Sequence, residues 1–159
     1  MDEHGLVPGA LRERIRHLVA DGRRPRMPYT IPTFQNPMGV TLPEARRPEV
    51  VDICREAGIP IVEANPYGML AFKRRGLTSL HELDPDHVIC LGTFSKVLAA
   101  GLRVGWIAAP DWMRRPAPLA PESTAICASP LSQAIATEFV AGQDFRTTVA
   151  SAAWRSVPR

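Results

Sequence analysis

The chain contains no run approaching the roughly 18 consecutive apolar residues that a membrane-spanning helix needs. Its opening, Met1-Asp2-Glu3-His4, is acidic and polar where a secretory leader carries an apolar stretch. A soluble, untargeted protein with no membrane partner is expected. Net charge is small, 19 Lys plus Arg against 16 Asp plus Glu, and the basic residues come as scattered Arg-Arg pairs without interleaved aromatics. That pattern argues against a nucleic-acid partner. Cysteine is scarce too: Cys54, Cys90 and Cys127 are odd in number, far apart and set among apolar neighbours. Neither a disulfide framework nor a metal site follows, and a reducing cytoplasm fits best. There is no G-x-G-x-x-G or Walker loop, internal repeat or low-complexity tract.

What is present suits one domain with a real core, since the 159 residues are 45% apolar. Sixteen prolines against eleven glycines fit a chain that alternates strands, loops and helices. Over residues 6 to 20, Leu11, Ile15, Leu18 and Val19 form one helical stripe opposite Arg12, Glu13, Arg14 and Arg16. Tyr29-Thr30-Ile31 reads as a strand entering the breaker-rich loop Pro32 to Gly39. A second helix is predicted from Pro43 to about Ala57, with Gly58 as its stop. Strands are predicted at Ile59 to Val62, Val88 to Gly92 and Val104 to Ala108, and a last helix at Leu131 to Ala141, after a Pro-rich stretch from Pro110 to Pro130. This order implies an α/β domain, an αβα arrangement around a mostly parallel sheet covered on both faces. In such sheets ligands bind beyond the carboxyl ends of the strands, where the three most informative loops fall.

Lys96 follows a predicted strand and two hydroxyl residues, Thr93 and Ser95, and precedes Gly101-Leu102-Arg103. A lysine there suits Schiff-base chemistry, and hydroxyls with a guanidinium make a phosphate cradle. Taken alone, a Ser-Lys pair is an ordinary solvated dipeptide, and Arg103 an ordinary surface ion-pair residue.

The whole segment, Thr93-Phe94-Ser95-Lys96 with Gly101-Leu102-Arg103-Val104-Gly105-Trp106, resembles the lysine segment of class I/II aminotransferases. These are fold-type I enzymes dependent on pyridoxal 5'-phosphate. The resemblance implies that Lys96 forms the internal aldimine with the cofactor and serves as the catalytic base, and that Thr93, Ser95 and Arg103 contact its phosphate. Tyr29 to Gly39 resembles the family's Asn-Pro-x-Gly loop, which makes Asn36 a hydrogen-bond donor to the cofactor's phenolic oxygen. The Asn36–Pro37 peptide is a candidate cis bond, and Arg47 in the next helix is read as a structural or surface residue rather than a ligand. Glu63-Ala64-Asn65-Pro66-Tyr67-Gly68 resembles the segment whose tyrosine, here Tyr67, donates to the same oxygen. Amino acid and 2-oxo acid substrates are implied, as is a homodimer in the intact family.

The match has departures. Three residues before Tyr67 the family usually has an aspartate that keeps the pyridine nitrogen protonated, and this chain has Ala64. Glu63 cannot substitute, because strand neighbours point to opposite faces, and Asn65 shares the face of Glu63. Ala100 stands where a proline is common. Family members are longer, so residues 1–150 are expected to be a partial large domain and 151–159 a truncated tail, in which Arg155 and Arg159 are given no role. The implied function is amino-group transfer from an amino acid to a 2-oxo acid. The alternative is a catalytically silent remnant that binds the cofactor. Related transcriptional regulators carry a winged-helix segment that nothing here resembles.

Overall fold

The computed structural model describes residues 1–70, 77–113, 129–142, 145 and 147–149. Helix α1 runs Pro8–Ala20 and α2 runs Arg46–Glu56. Proline at the first turn of α1 fits, because the amide it lacks would be unpaired there anyway. The second helix starts later than the sequence suggests, since Pro43 and Glu44 carbonyls first take the Arg46 and Arg47 amides in a turn. It ends as expected: Gly58 has φ +65°, and the Gly58 and Ile59 amides fold back to Arg55 and Cys54 carbonyls at 3.0 Å. That closure, with Pro60 lacking an amide, moves the next strand two residues on from the expected start.

Four strands, β1 (Tyr29–Thr30), β2 (Ile61–Ala64), β3 (Val88–Thr93) and β4 (Gly105–Ala108), form one sheet in the order β1-β2-β3-β4. The first three are parallel and β4 is an antiparallel edge. The mostly parallel sheet expected from the sequence is therefore observed. Helix α3 (Leu80–Leu83) was not anticipated, although its capping box, Ser79 with Glu82, is written in the sequence as S-x-x-E. Helix α4 spans Pro130–Ala141, capped by Ser129. The expected tail, Cys127, and most of the Pro-rich stretch lie outside the described residues.

The main core joins Ile15 of α1, Val50, Val51, Ile53 and Cys54 of α2, Leu80 of α3, and Ile61 and Val88 of the sheet. Full burial of a side chain such as Ile61 or Leu80 contributes about 1.5–3 kcal/mol. Alternation puts Ile61, Glu63, Val88 and Cys90 on this helix-covered face, and Val62, Ala64, Ile89, Leu91 and Thr93 on the other. Burial pushes the Cys54 thiol up to about 11 and that of Cys90 to about 12, so both stay protonated and inert.

Gly92 pairs with Trp106 across β3 and β4, and a Cβ at residue 92 would overlap the indole ring. A Gly92→Ala variant should lose about 1–3 kcal/mol by overpacking, read as a lower urea midpoint. An unchanged midpoint would mean the indole swings aside freely.

Candidate active site at the strand ends

Because β1, β2 and β3 are parallel and adjacent, the loops that leave their carboxyl ends start side by side, about 5 Å from one strand to the next. These loops carry Asn36, Tyr67 and Lys96.

The first loop is closed on itself. The Leu42 amide bonds the Pro32 carbonyl (2.8 Å), the Gln35 amide bonds Val40 (2.8 Å), and Phe34 N–H donates to Thr41 Oγ1 (3.1 Å). Phe34 (φ 52°) and Gly39 (φ 70°) take left-handed conformations, and the Asn36–Pro37 peptide is cis. Asn36 lies exposed at the tip, and its carbonyl accepts from Gln35 Nε2 at 2.8 Å.

The second loop continues β2: the Asn65 amide bonds Leu91 O at 2.8 Å, extending the parallel pairing by one residue. A 3-10 turn at Gly68–Leu70 then places half-buried Tyr67 directly beyond the strand.

The third loop joins β3 to β4. The Phe94 carbonyl accepts from the Val97, Leu98 and Ala99 amides, and Phe94 N–H donates to Val104 O at 3.0 Å, so residues 94–104 form a closed crown. Val97 is buried and pins the turn, while Lys96 beside it is exposed, with its Nζ 6.0 Å from the centre of the Tyr67 ring. Thr93 Oγ1 donates to Val104 O (3.3 Å) and accepts from the Ser95 amide (3.1 Å). The Thr93 hydroxyl thus shapes the turn. Arg103 is exposed, in a left-handed conformation (φ 53°, ψ 34°), and has no carboxylate partner among the described residues. Holding a non-glycine residue there costs about 1 kcal/mol, a strain that persists where the surrounding chain imposes it.

The structure therefore brings Lys96 and Tyr67 together and ties Thr93, Ser95 and Arg103 into one crown. Asn36 stands on the neighbouring loop with no hydrogen bond to the others. The enclosure that lysine chemistry calls for is not supplied by the described residues.

Ionisable side chains are also buried apart from the candidate residues, and the structural reading of Arg47, rather than the surface one, is the observed one. Arg47 is fully buried, and its guanidinium donates to Leu42 O (3.1 Å), Pro32 O (3.2 Å), Thr33 Oγ1 (3.0 Å) and Thr78 O (2.7 Å). Glu63 is fully buried on the helix-covered face, where Oε2 accepts the His81 amide at 3.0 Å and Oε1 has no hydrogen-bond partner among the described residues. Burial raises its pKa, partly opposed by the His81 and Leu80 amides. Glu63 is turned to α3, away from the face that Ala64 shares with Thr93.

A concavity of about 940 Å³ lies elsewhere, between α1, α2 and the arginines Arg23, Arg24 and Arg26, and none of the six candidate residues lines it. It sits at the amino ends of β1 and β2, the wrong end for ligands in sheets of this kind. Among the described residues, no group of three or more His, Cys, Asp or Glu side chains could hold a metal ion, and no helix is long and apolar enough to cross a membrane.

A family model described as aminotransferase class I and II matches residues 30–155. The chain is 40% identical over 143 residues to aromatic-amino-acid aminotransferase 1 of Thermococcus litoralis, covering 89% of this chain and 34% of that protein. It is 35% identical over 115 residues to an uncharacterized HTH-type transcriptional regulator of Bacillus subtilis, covering 70% of this chain and 22% of that protein. The kynurenine aminotransferase of Pyrococcus horikoshii, solved in complex with PMP, superposes with a TM-score of 0.90 at 33% identity over 97% of this chain and 38% of that one. This chain thus spans about a third of the length of the Thermococcus relative. The matched segment holds all six candidate residues on one rim of a mostly parallel sheet, and the chain belongs to the class I and II aminotransferase family.

Proposed function

We propose that this chain binds pyridoxal 5'-phosphate through Lys96 at the carboxyl ends of β1 to β3. In a polypeptide of its relatives' full length, it would serve amino-group transfer from an amino acid to a 2-oxo acid. The observation that carries the reading is the approach of Lys96 Nζ to 6.0 Å from the Tyr67 ring centre, across the ends of neighbouring strands. The PMP reported with the Pyrococcus horikoshii enzyme supports the same cofactor class.

The donor set fits the group in part. Ser95, whose hydroxyl has no partner among the described residues, and Arg103, without a carboxylate, offer donors to a phosphate. Thr93 holds the crown and joins them by exchanging its bond to Val104 O. Asn36 and Tyr67 are donors for the ring's phenolic oxygen. At the ring nitrogen, Ala64 offers no charge and Glu63 faces away. When bound, the cofactor supplies an electron-withdrawing ring that acidifies the α-hydrogen of an amino acid. Lys96 then holds the group and carries a proton at Nζ. A homodimer, as in the intact family, completes the reading, and Cys54 and Cys90, both unpaired and buried, suit a reducing cytoplasm.

The test is to mix the protein with pyridoxal phosphate, follow the visible absorption band, then add amino acids and a 2-oxo acid acceptor. No band in the parent protein sinks the assignment. A Lys96-dependent band without amino-group transfer favours the silent remnant, for which Ala64 is the specific motive.

A further inference from the structure

A guanidinium with no exposed surface is rare, because its desolvation must be offset by a complete set of acceptors. Arg47 has such a set, and the identity of the acceptors is informative. Pro32 O and Leu42 O are the two feet of the loop that carries Asn36, and they are themselves joined by the Leu42 amide at 2.8 Å. Thr33 Oγ1 lies one residue inside the first foot and is only 3% exposed. Thr78 O, the shortest contact at 2.7 Å, lies immediately before the Ser79 cap of α3. The α3 start is in turn held to β2 by the His81 amide on Glu63, two residues after β2 begins and four before Tyr67.

Resting on the cofactor reading above, we propose that Arg47 is a positioning residue: it clamps both feet of the Asn36 loop to the segment entering α3, and so sets how Asn36 and Tyr67 converge on one ligand atom. None of the four bonds reaches the ligand region, so the effect is transmitted through the backbone. The planar fork of arginine suits this task. Three nitrogens reach four acceptors on three segments, which the single ammonium of lysine cannot reproduce. Asn36 itself sits on an exposed tip with no side-chain tie to the other candidate residues. Its direction is therefore set at the feet, where Arg47 acts.

The experiment compares the parent chain with Arg47→Lys, Thr33→Val, Asn36→Ala and the double variant Asn36→Ala/Arg47→Lys. Each is titrated with pH while the visible absorption of bound pyridoxal phosphate is followed. Amide hydrogen exchange of the unliganded chain is measured at Gln35 and Leu42. A donated bond to the cofactor's oxygen stabilises its ionised form, so Asn36→Ala should raise the midpoint by about one pH unit. Arg47→Lys should move the midpoint the same way by a comparable amount, with little added in the double variant, because both act through one contact. Thr33→Val, which removes one acceptor and keeps the fold, should give a smaller shift and faster exchange at Leu42. A normal midpoint in Arg47→Lys and Thr33→Val, whatever their melting temperatures, overturns the proposal, as does full additivity with Asn36→Ala. If the parent shows no Lys96-dependent band, the cofactor reading itself has failed. The exchange data then show separately whether Arg47 clamps the loop.

Discussion

A Lys96→Ala variant will lose the visible absorption band of the cofactor complex completely, and any amino-group transfer will fall by on the order of 10²–10⁴-fold, the usual worth of a positioned proton carrier. The chain gives this test unusual clarity because its sequence contains two lysines, Lys73 and Lys96. Reduction of the complex with borohydride followed by peptide mass spectrometry should therefore find the label on Lys96, with Lys73→Arg as the matched control. The geometry favours Lys96, which stands on the closed crown between β3 and β4 with Tyr67 6.0 Å away. Free amines react with aldehydes indiscriminately, so the decisive outcome is selectivity. Equal labelling of both lysines and the terminal amine would show that the crown does nothing beyond presenting an amine.

How far the sequence could be read depended on the range of each interaction. The local signal read at Gly58 held, since it closes α2 with φ +65°; Pro8 opening α1 and Ser129 capping α4 also act within one turn of chain, although neither was read from the sequence. The strand-end loops were legible because Asn36, Tyr67 and Lys96 each sit in a segment with its own pattern, and the parallel order then made them neighbours. Boundaries set by pairing were less legible. β2 continues to Ala64 because Leu91 of β3 stands opposite, and nothing between Ile59 and Val62 announces that. Arg47 was the hardest to place. A charged residue near the start of a helix reads equally as structural or surface, and its burial depends on carbonyls 5 to 31 residues away. The Thr93 hydroxyl is a related case, since its bond to Val104 O appears only once the crown closes at β4. The capping box of α3 was visible and simply short, four helical residues after Ser79.

An Ala64→Asp substitution is expected to raise the rate of amino-group transfer by on the order of 10²–10³-fold, the scale of one preorganised electrostatic contact at a reacting group, when measured in a polypeptide that carries the remaining length of the relatives. Ala64 closes β2 opposite Leu91, on the face that it shares with Thr93, three residues before Tyr67. A carboxylate built there points to the candidate site, whereas Glu63 points to α3 and is held by the His81 amide. Aspartate at residue 64 would keep a proton on the ring nitrogen, and that charge is what makes the ring draw electrons from the α-carbon. The same substitution has an opposite effect on the empty protein. Ala64 is 8% exposed, so an unpaired carboxylate in its place should cost about 1–3 kcal/mol of stability, recovered when pyridoxal phosphate is added because the ligand binds the folded state alone. Ala64→Asn separates charge from shape: it should destabilise similarly and leave the rate unchanged. Equal rates for alanine, asparagine and aspartate at residue 64 would mean that ring-nitrogen charge does not limit this chain, and the silent reading would lose its motive.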